Sequence, residues 1–155
     1  MTLSRILLVE DNEADVLLVE EALVDLTPRV LLDVVRDGED ALTYLRGPRG
    51  PSELDFVLLD ANTPRMDAVE VLTELRRDVR CRTLPVVVYS SSSNPMDARR
   101  VYLAGANAYV AKPVDLDGFM EVIRATVRFW CSTVPTTRDA GATGAVCESA
   151  EARSS

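Results

Sequence analysis

The chain has 155 residues, enough for one domain with a buried core, and its 47% apolar and 27% charged content is ordinary for a soluble globular fold. Twenty-five acidic against seventeen basic side chains leave a net charge of −8, which argues against nucleic acid or an anionic membrane surface as the main partner. There is no histidine, which excludes Ser-His-Asp hydrolysis, histidine-ligated metals and a phosphohistidine of the chain's own, so any phosphoryl group arrives from another molecule.

The N-terminus, MTLSRILLVEDN, has a brief apolar run followed at once by acids, so no secretory signal is expected. The run Ile6-Leu7-Leu8-Val9 reads as a first strand. A helix from about Ala14 to Leu26 follows, with Val16, Val19, Leu23 and Leu26 on one stripe and Asp11 or Asn12 as its cap. A second strand is expected near Leu31–Val35, and Asp37-Gly38 opens a short helix through Leu45. After the loop Gly47-Pro48-Arg49-Gly50-Pro51 comes a third strand, Phe56–Leu59, and a helix over Ala68–Arg77 with Val71, Leu72 and Leu75 inward. A fourth strand, Val86–Tyr89, leads through a serine-rich turn to a helix ending near Gly105. The fifth strand is Tyr109–Ala111, within the apolar run Ala108-Tyr109-Val110-Ala111. The last helix runs from about Leu116 to Cys131, capped by Asp115, with Leu116, Phe119, Met120, Ile123, Val127 and Trp130 as its core stripe. Residues 1–132 are read as one domain, and the small, polar stretch over residues 133–155 as a disordered tail. The three cysteines, Cys81, Cys131 and Cys147, have no metal-like spacing, which favours thiols in a reducing cytoplasm.

Strands alternating with helices imply an α/β fold with a parallel sheet covered on both faces. Short apolar runs such as these read as fully buried strands. Four of them stop on groups able to handle phosphate or a metal: Glu10-Asp11, Asp60, Ser90 and Lys112. Open sheets of this kind bind ligands beyond the carboxyl ends of their strands, so these groups should share one rim. Lys112 is the only lysine, against sixteen arginines, which marks a position that needs a compact ammonium. Two carboxylates about 4 Å apart repel by roughly 4 kcal/mol at an effective dielectric of 20. Three would raise one another's pKa values or recruit a cation, and oxygen-only ligands favour Mg²⁺, Mn²⁺ or Ca²⁺.

The segments ILLVEDN, FVLLDANTPRMD, LPVVVYSSS and NAYVAKP, in this order and spacing, resemble the receiver domain of two-component response regulators across about residues 4–131. The resemblance implies a doubly wound five-stranded sheet of order 2-1-3-4-5, the flavodoxin-like receiver fold. It also implies that Asp60 accepts a phosphoryl group from a sensor histidine kinase. Glu10, Asp11 and Asp60, with the main-chain carbonyl of Asn62, would hold Mg²⁺, and Lys112 would assist the transfer. Ser90 and Tyr109 would be the switch pair, read out through the face of the fourth helix, fifth strand and fifth helix. Such a protein catalyses only its own phosphorylation and dephosphorylation and is otherwise no enzyme. The ending VIRATVRFW, the serine-rich YSSSSN and the absence of an output domain resemble stand-alone regulators of phytochrome-type kinases, which often dimerise through that face. Ala61, Thr63-Pro64 and Ala68 depart from the family pattern without touching the proposed chemistry.

Three other functions compete. A phosphatase with an aspartyl-phosphate intermediate needs a second acid two residues after the nucleophile, and Asn62 stands there. A flavin module needs a hydroxyl- and glycine-rich phosphate loop, where this chain has EDNEAD. A receiver-like scaffold that binds partners without phosphorylation stays open as the alternative. Arg76-Arg77 and Arg99-Arg100 read as solvated helix faces.

Overall fold

The computed structural model describes residues 3–27 and 29–133. Five strands, β1 (Ser4–Val9), β2 (Val30–Val35), β3 (Phe56–Asp60), β4 (Val86–Ser90) and β5 (Ala108–Ala111), form one parallel sheet of order β2-β1-β3-β4-β5. Five helices connect and cover it: α1 (Glu13–Leu23), α2 (Gly38–Arg46), α3 (Ala68–Arg77), α4 (Pro95–Ala104) and α5 (Leu116–Arg128). Strand residues alternate between two cores. Ile6, Leu8, Phe56, Leu58, Val87 and Tyr89 pack with α1 and α5. Leu7, Val9, Val57, Leu59, Val86 and Val88 pack with α2, α3 and Val101 of α4. The topology is therefore the expected doubly wound one, with its reversal between β1 and β3, the crevice where such sheets place their ligands.

Helix starts follow local chemistry. Asn12, rather than Asp11, caps α1, its side chain accepting the Asp15 N–H at 3.1 Å. Asp37, Asp67, Asn94 and Asp115 cap the other four helices in the same manner. Pro95 fills the first turn of α4, where no amide donor is needed, and Gly105 ends that helix at φ +113°.

Four expectations are corrected. β1 beyond its first two residues, and all of β3 and β4, are buried, but β5 is only half-buried and ends on exposed Ala111. It is an edge strand, covered on one side of the ladder only. Leu116 is exposed rather than core, because the α5 seam begins one turn later at Phe119 and continues through Ile123 and Val127. The α-helix also ends at Arg128, and a π-helical turn, Phe129–Thr133, carries the chain on. Arg76 is not a solvated side chain. Its guanidinium donates to the carbonyls of Cys81, Leu84 and Gly105 and to Asn107 Oδ1, at 2.8 to 3.0 Å, tying α3 to the ends of α4 and β4. The tail expected over residues 133–155 lies, apart from Thr133, outside the described residues.

Candidate phosphoacceptor site

Strand parity decides which groups meet. Glu10 follows Leu8, and Asp60 follows Leu58, so both continue toward the α1/α5 side, as does Lys112 beyond Val110. Ser90 and Tyr109 have the opposite parity and face α3 and α4. In β1 and β3, Val9 stands beside Leu59, which brings Glu10 and Asp11 against Asp60.

One ligand oxygen from each of Glu10, Asp11 and Asp60 can be chosen so that all three lie within 4.8 Å of one another. Glu10 and Asp60 are buried and Asp11 is exposed, so the trio opens to solvent on one side. All its donors are carboxylate oxygens, the set that suits a hard divalent cation. Asp60 Oδ1 accepts the Asn62 N–H at 3.2 Å, and Glu10 Oε2 accepts the Asn12 N–H at 3.2 Å. The two acids are thus aimed by the loops that leave their own strands.

Lys112 reaches into this group from the end of β5. Its backbone N–H donates to the Ser90 carbonyl at 2.7 Å, which sets the strand end beside β4. Its Nζ lies 3.0 Å from Asp15 Oδ2, 3.4 Å from Glu10 Oε1 and 3.7 Å from Asp60 Oδ2, and 4.5 Å from the centre of the Tyr89 ring. Half-burial alone would pull the ammonium's pKa down. The hydrogen bond to Asp15 and the charges of Asp60 and Glu10 more than reverse this, and the pKa is raised. Lys112 is therefore a fixed cation at this rim.

One ammonium does not neutralise four carboxylates. Burial, a hydrogen bond shared with Asp60 and the Asp60 charge push Glu10 up to about 8, against a smaller opposing pull from Tyr89 and Lys112. Tyr89 donates to Glu10 Oε1 at 2.6 Å in the interior, and its own phenol is driven upward by burial and by that neighbour. Without a cation, Glu10 holds a proton at neutral pH. The electrostatics leave room for added positive charge.

Ser90 and Tyr109 lie on the other side of Asp60. The buried Ser90 Oγ accepts the Ser92 N–H at 3.1 Å, and Tyr109 Oη donates to the Ser92 carbonyl at 2.6 Å. Both line a cavity of about 120 Å³ with Ala61 and Asn62, the two residues after Asp60. All the residues singled out from the sequence thus gather at one rim.

Three participants were not legible in advance. Tyr89 sat inside an apolar run, although a buried phenol needs a hydrogen-bond partner and its neighbour Ser90 faces the other way. Asp15 sits in the first turn of α1, and no apolar run ends on it. Asp97 lines the cavity from α4.

A rim of acids beside one ammonium, at the switch point of a 2-1-3-4-5 sheet, is the ground plan of one signalling family. Residues 6–124 match the response regulator receiver domain, and the chain belongs to this family, whose members are signalling switches rather than conventional enzymes. It is 35% identical over 133 residues to the response regulator Rcp1 of Synechocystis, covering 83% of this chain and 90% of that protein. It is 36% identical over 127 residues to a probable methanogenesis regulatory protein, FilR2, of Methanothrix harundinacea, covering 81% of this chain and 82% of that one. Among solved structures, the phosphorylated cyanobacterial phytochrome response regulator RcpA superposes with a TM-score of 0.81 at 38% identity, over 87% of this chain and 99% of that one. The Mn²⁺-bound form of Rcp1 gives 0.76 at 33% identity, over 86% and 98%. The acidic trio fits the divalent-metal site of this family. Among the described residues no helix is long and apolar enough to cross a membrane.

Proposed function

We propose that this protein is a phosphoacceptor switch: Asp60 accepts a phosphoryl group from a phosphohistidine of a sensor histidine kinase in a Mg²⁺-dependent step. The observation that carries the reading is the convergence of Glu10, Asp11 and Asp60 within 4.8 Å, with Lys112 reaching the same carboxylates. An Asp60 carboxylate oxygen attacks phosphorus, the donor's N–P bond breaks, and the histidine leaves with the electron pair of that bond. Glu10, Asp11, Asp60 and the Asn62 main-chain carbonyl would hold the cation. When bound, it supplies positive charge to the phosphoryl oxygens as charge builds there. Lys112 contributes a second positive charge beside the same carboxylates and is already aligned by Ser90 and Asp15. Mg²⁺ is the natural occupant because it is content with few carboxylates and a phosphate, and Mn²⁺ or Ca²⁺ could stand in.

Once the acyl phosphate forms, its oxygens offer a new acceptor to the Ser90 hydroxyl. Ser90 gives up the position in which it accepts from Ser92, and the Ser92 carbonyl that holds Tyr109 is disturbed in the same movement. Tyr109 sits on β5, at the centre of the α4–β5–α5 face proposed to signal. On α4, next to that strand, exposed Tyr102, whose hydroxyl accepts the Tyr109 N–H, and Leu103 add apolar surface, which suits a protein partner or a second copy of the chain. The phytochrome regulators among the relatives support a phytochrome-type kinase as the donor. The buried thiol of Cys81 suits a reducing cytoplasm.

The test is direct. Incubation with phosphoramidate and Mg²⁺ adds one phosphoryl group to the parent chain and none to Asp60→Asn, read by intact mass. Equal gain in the variant removes Asp60 as the acceptor. No gain in the parent, with normal partner binding, leaves the phosphorylation-independent scaffold.

A further inference from the structure

The cavity beside Asp60 carries a carboxylate that the transfer chemistry does not use. We infer that Asp97, acting through the Ser92 hydroxyl, positions the water that hydrolyses the acyl phosphate and so sets how long the switch stays charged. This rests on the acceptor reading of Asp60. The cavity is lined by Asn62 and Ser90 on the acceptor side and by Ser92, Asp97, Arg100 and Tyr109 on the other. At about 120 Å³ it has room for several waters, since one needs about 10–15 Å³ by the same measure.

The hydrogen bonds of Ser92 give it a direction. Its Oγ donates to Asp97 Oδ2 at 2.5 Å and accepts the Asn94 N–H at 3.2 Å. A hydroxyl has one donor and two acceptor sites, so with the donor committed to Asp97 it can only accept from a water. Such a water points an O–H at Ser92 and keeps its lone pairs free for phosphorus. A short bond to a carboxylate is strong enough to hold the hydroxyl in that sense. Asp97 is fixed in the first turn of α4, behind the Asn94 cap and Pro95. Arg100 lines the same wall and brings a positive charge to this side of the cavity, against the two negative groups, Asp97 and the phosphoryl group. The other carboxylate of the cavity, Asp67, is committed to the Glu70 N–H as the cap of α3.

In the hydrolysis the water oxygen bonds to phosphorus, the P–O bond to Asp60 breaks, Asp60 departs as a carboxylate with that electron pair, and the water's protons stay with the released dihydrogen phosphate. No further reactant is needed. Asp97 is a positioning residue in this scheme, because it touches Ser92 and not the reacting atoms.

The experiment charges the full chain with phosphoramidate and Mg²⁺, removes the donor and follows loss of the phosphoryl group by intact mass. Asp97→Ala and Ser92→Ala each slow the loss about fivefold or more, and the double variant is no slower than either single one. Asp97→Asn, which keeps an oxygen acceptor for the Ser92 hydroxyl, restores most of the parent rate, and Asp67→Asn decays as the parent does. Uptake from phosphoramidate stays within about twofold throughout. Decay of Asp97→Ala at the parent rate, or additive slowing in the double variant, overturns the inference while leaving the acceptor intact. A parent chain that takes up no phosphoryl group overturns both. Should Asp97→Ala fail to fold, Ser92→Ala and Asp97→Asn decide.

Discussion

Carboxylates in two regions of this molecule have opposite fates. At the β2 edge, Asp33 receives Arg5 on both oxygens at 3.0 Å, Arg49 at 3.5 Å and the Tyr44 hydroxyl. Burial pulls its pKa upward, but these partners outweigh it and the carboxyl is held below the usual range. At the carboxyl rim, Glu10, Asp15 and Asp60 share one ammonium with Asp11 close by, and Glu10 is pushed up to about 8. The first cluster is closed and contributes to stability. The second is left short of positive charge, which is a cost in the resting chain and the reason it can take a cation and a phosphoryl group. Excess like charge is therefore the mark that separates a site from a strut here.

The contrast can be broken from its strongest point downward. Asp60→Asn should abolish phosphorylation and keep the fold, because an amide of the same shape relieves repulsion at the rim. A melting temperature equal to or above the parent's, with no mass gain, is the expected pair of results. Lys112→Met should slow uptake from phosphoramidate by on the order of 100-fold, the usual scale for one lost transition-state partner. Lys112→Arg should not restore it, since a planar fork does not replace a point charge held among three carboxylates.

The third effect is on pH. A carboxyl whose pKa is raised in the folded state is protonated there while the unfolded chain has already ionised. Stability conferred by the proton on Glu10 is thus full below about 4.5 and is lost as pH rises toward about 8. Mg²⁺ binding displaces that proton, so calorimetry should show proton release below pH 8 and tighter binding above it. Cation at 100 times its Kd should add about 2.7 kcal/mol to stability. Binding that is flat from pH 6 to 9 would separate Glu10 from the cation.

The smallest change belongs to the other cluster. Asp33→Asn should cost about 1.5–3 kcal/mol in denaturant unfolding and leave phosphorylation untouched. Its sign with pH is reversed: a depressed pKa gives stability that is present above 3.8 and fades as pH falls through the folded value.

Much of this was legible from residue order alone. The bounds of α3, the caps Asp37 and Asp115 and the meeting of Glu10, Asp11, Asp60 and Lys112 follow from local signals, since each acid ends an apolar run and the topology does the rest. What was hidden depends on pairs far apart in the chain. Tyr89 needs Glu10, 79 residues away, to reveal a polar task. Arg76 looks like any helix-surface arginine until Gly105 and Asn107 arrive beside it. The apolar run of β5 reads like that of β4, and only the pairing order tells an edge from a centre. Asp97 carried no motif at all, because its meaning comes from the cavity on which α4 closes.

The solitary lysine has a practical corollary. Conjugation chemistry aimed at amines can reach only the chain's own terminus or the half-buried Lys112. A dye or a sensor-chip linkage at the latter would plug the pocket it was meant to observe, whereas shielding of that one amine from acylating reagents would serve as a gauge of pocket occupancy.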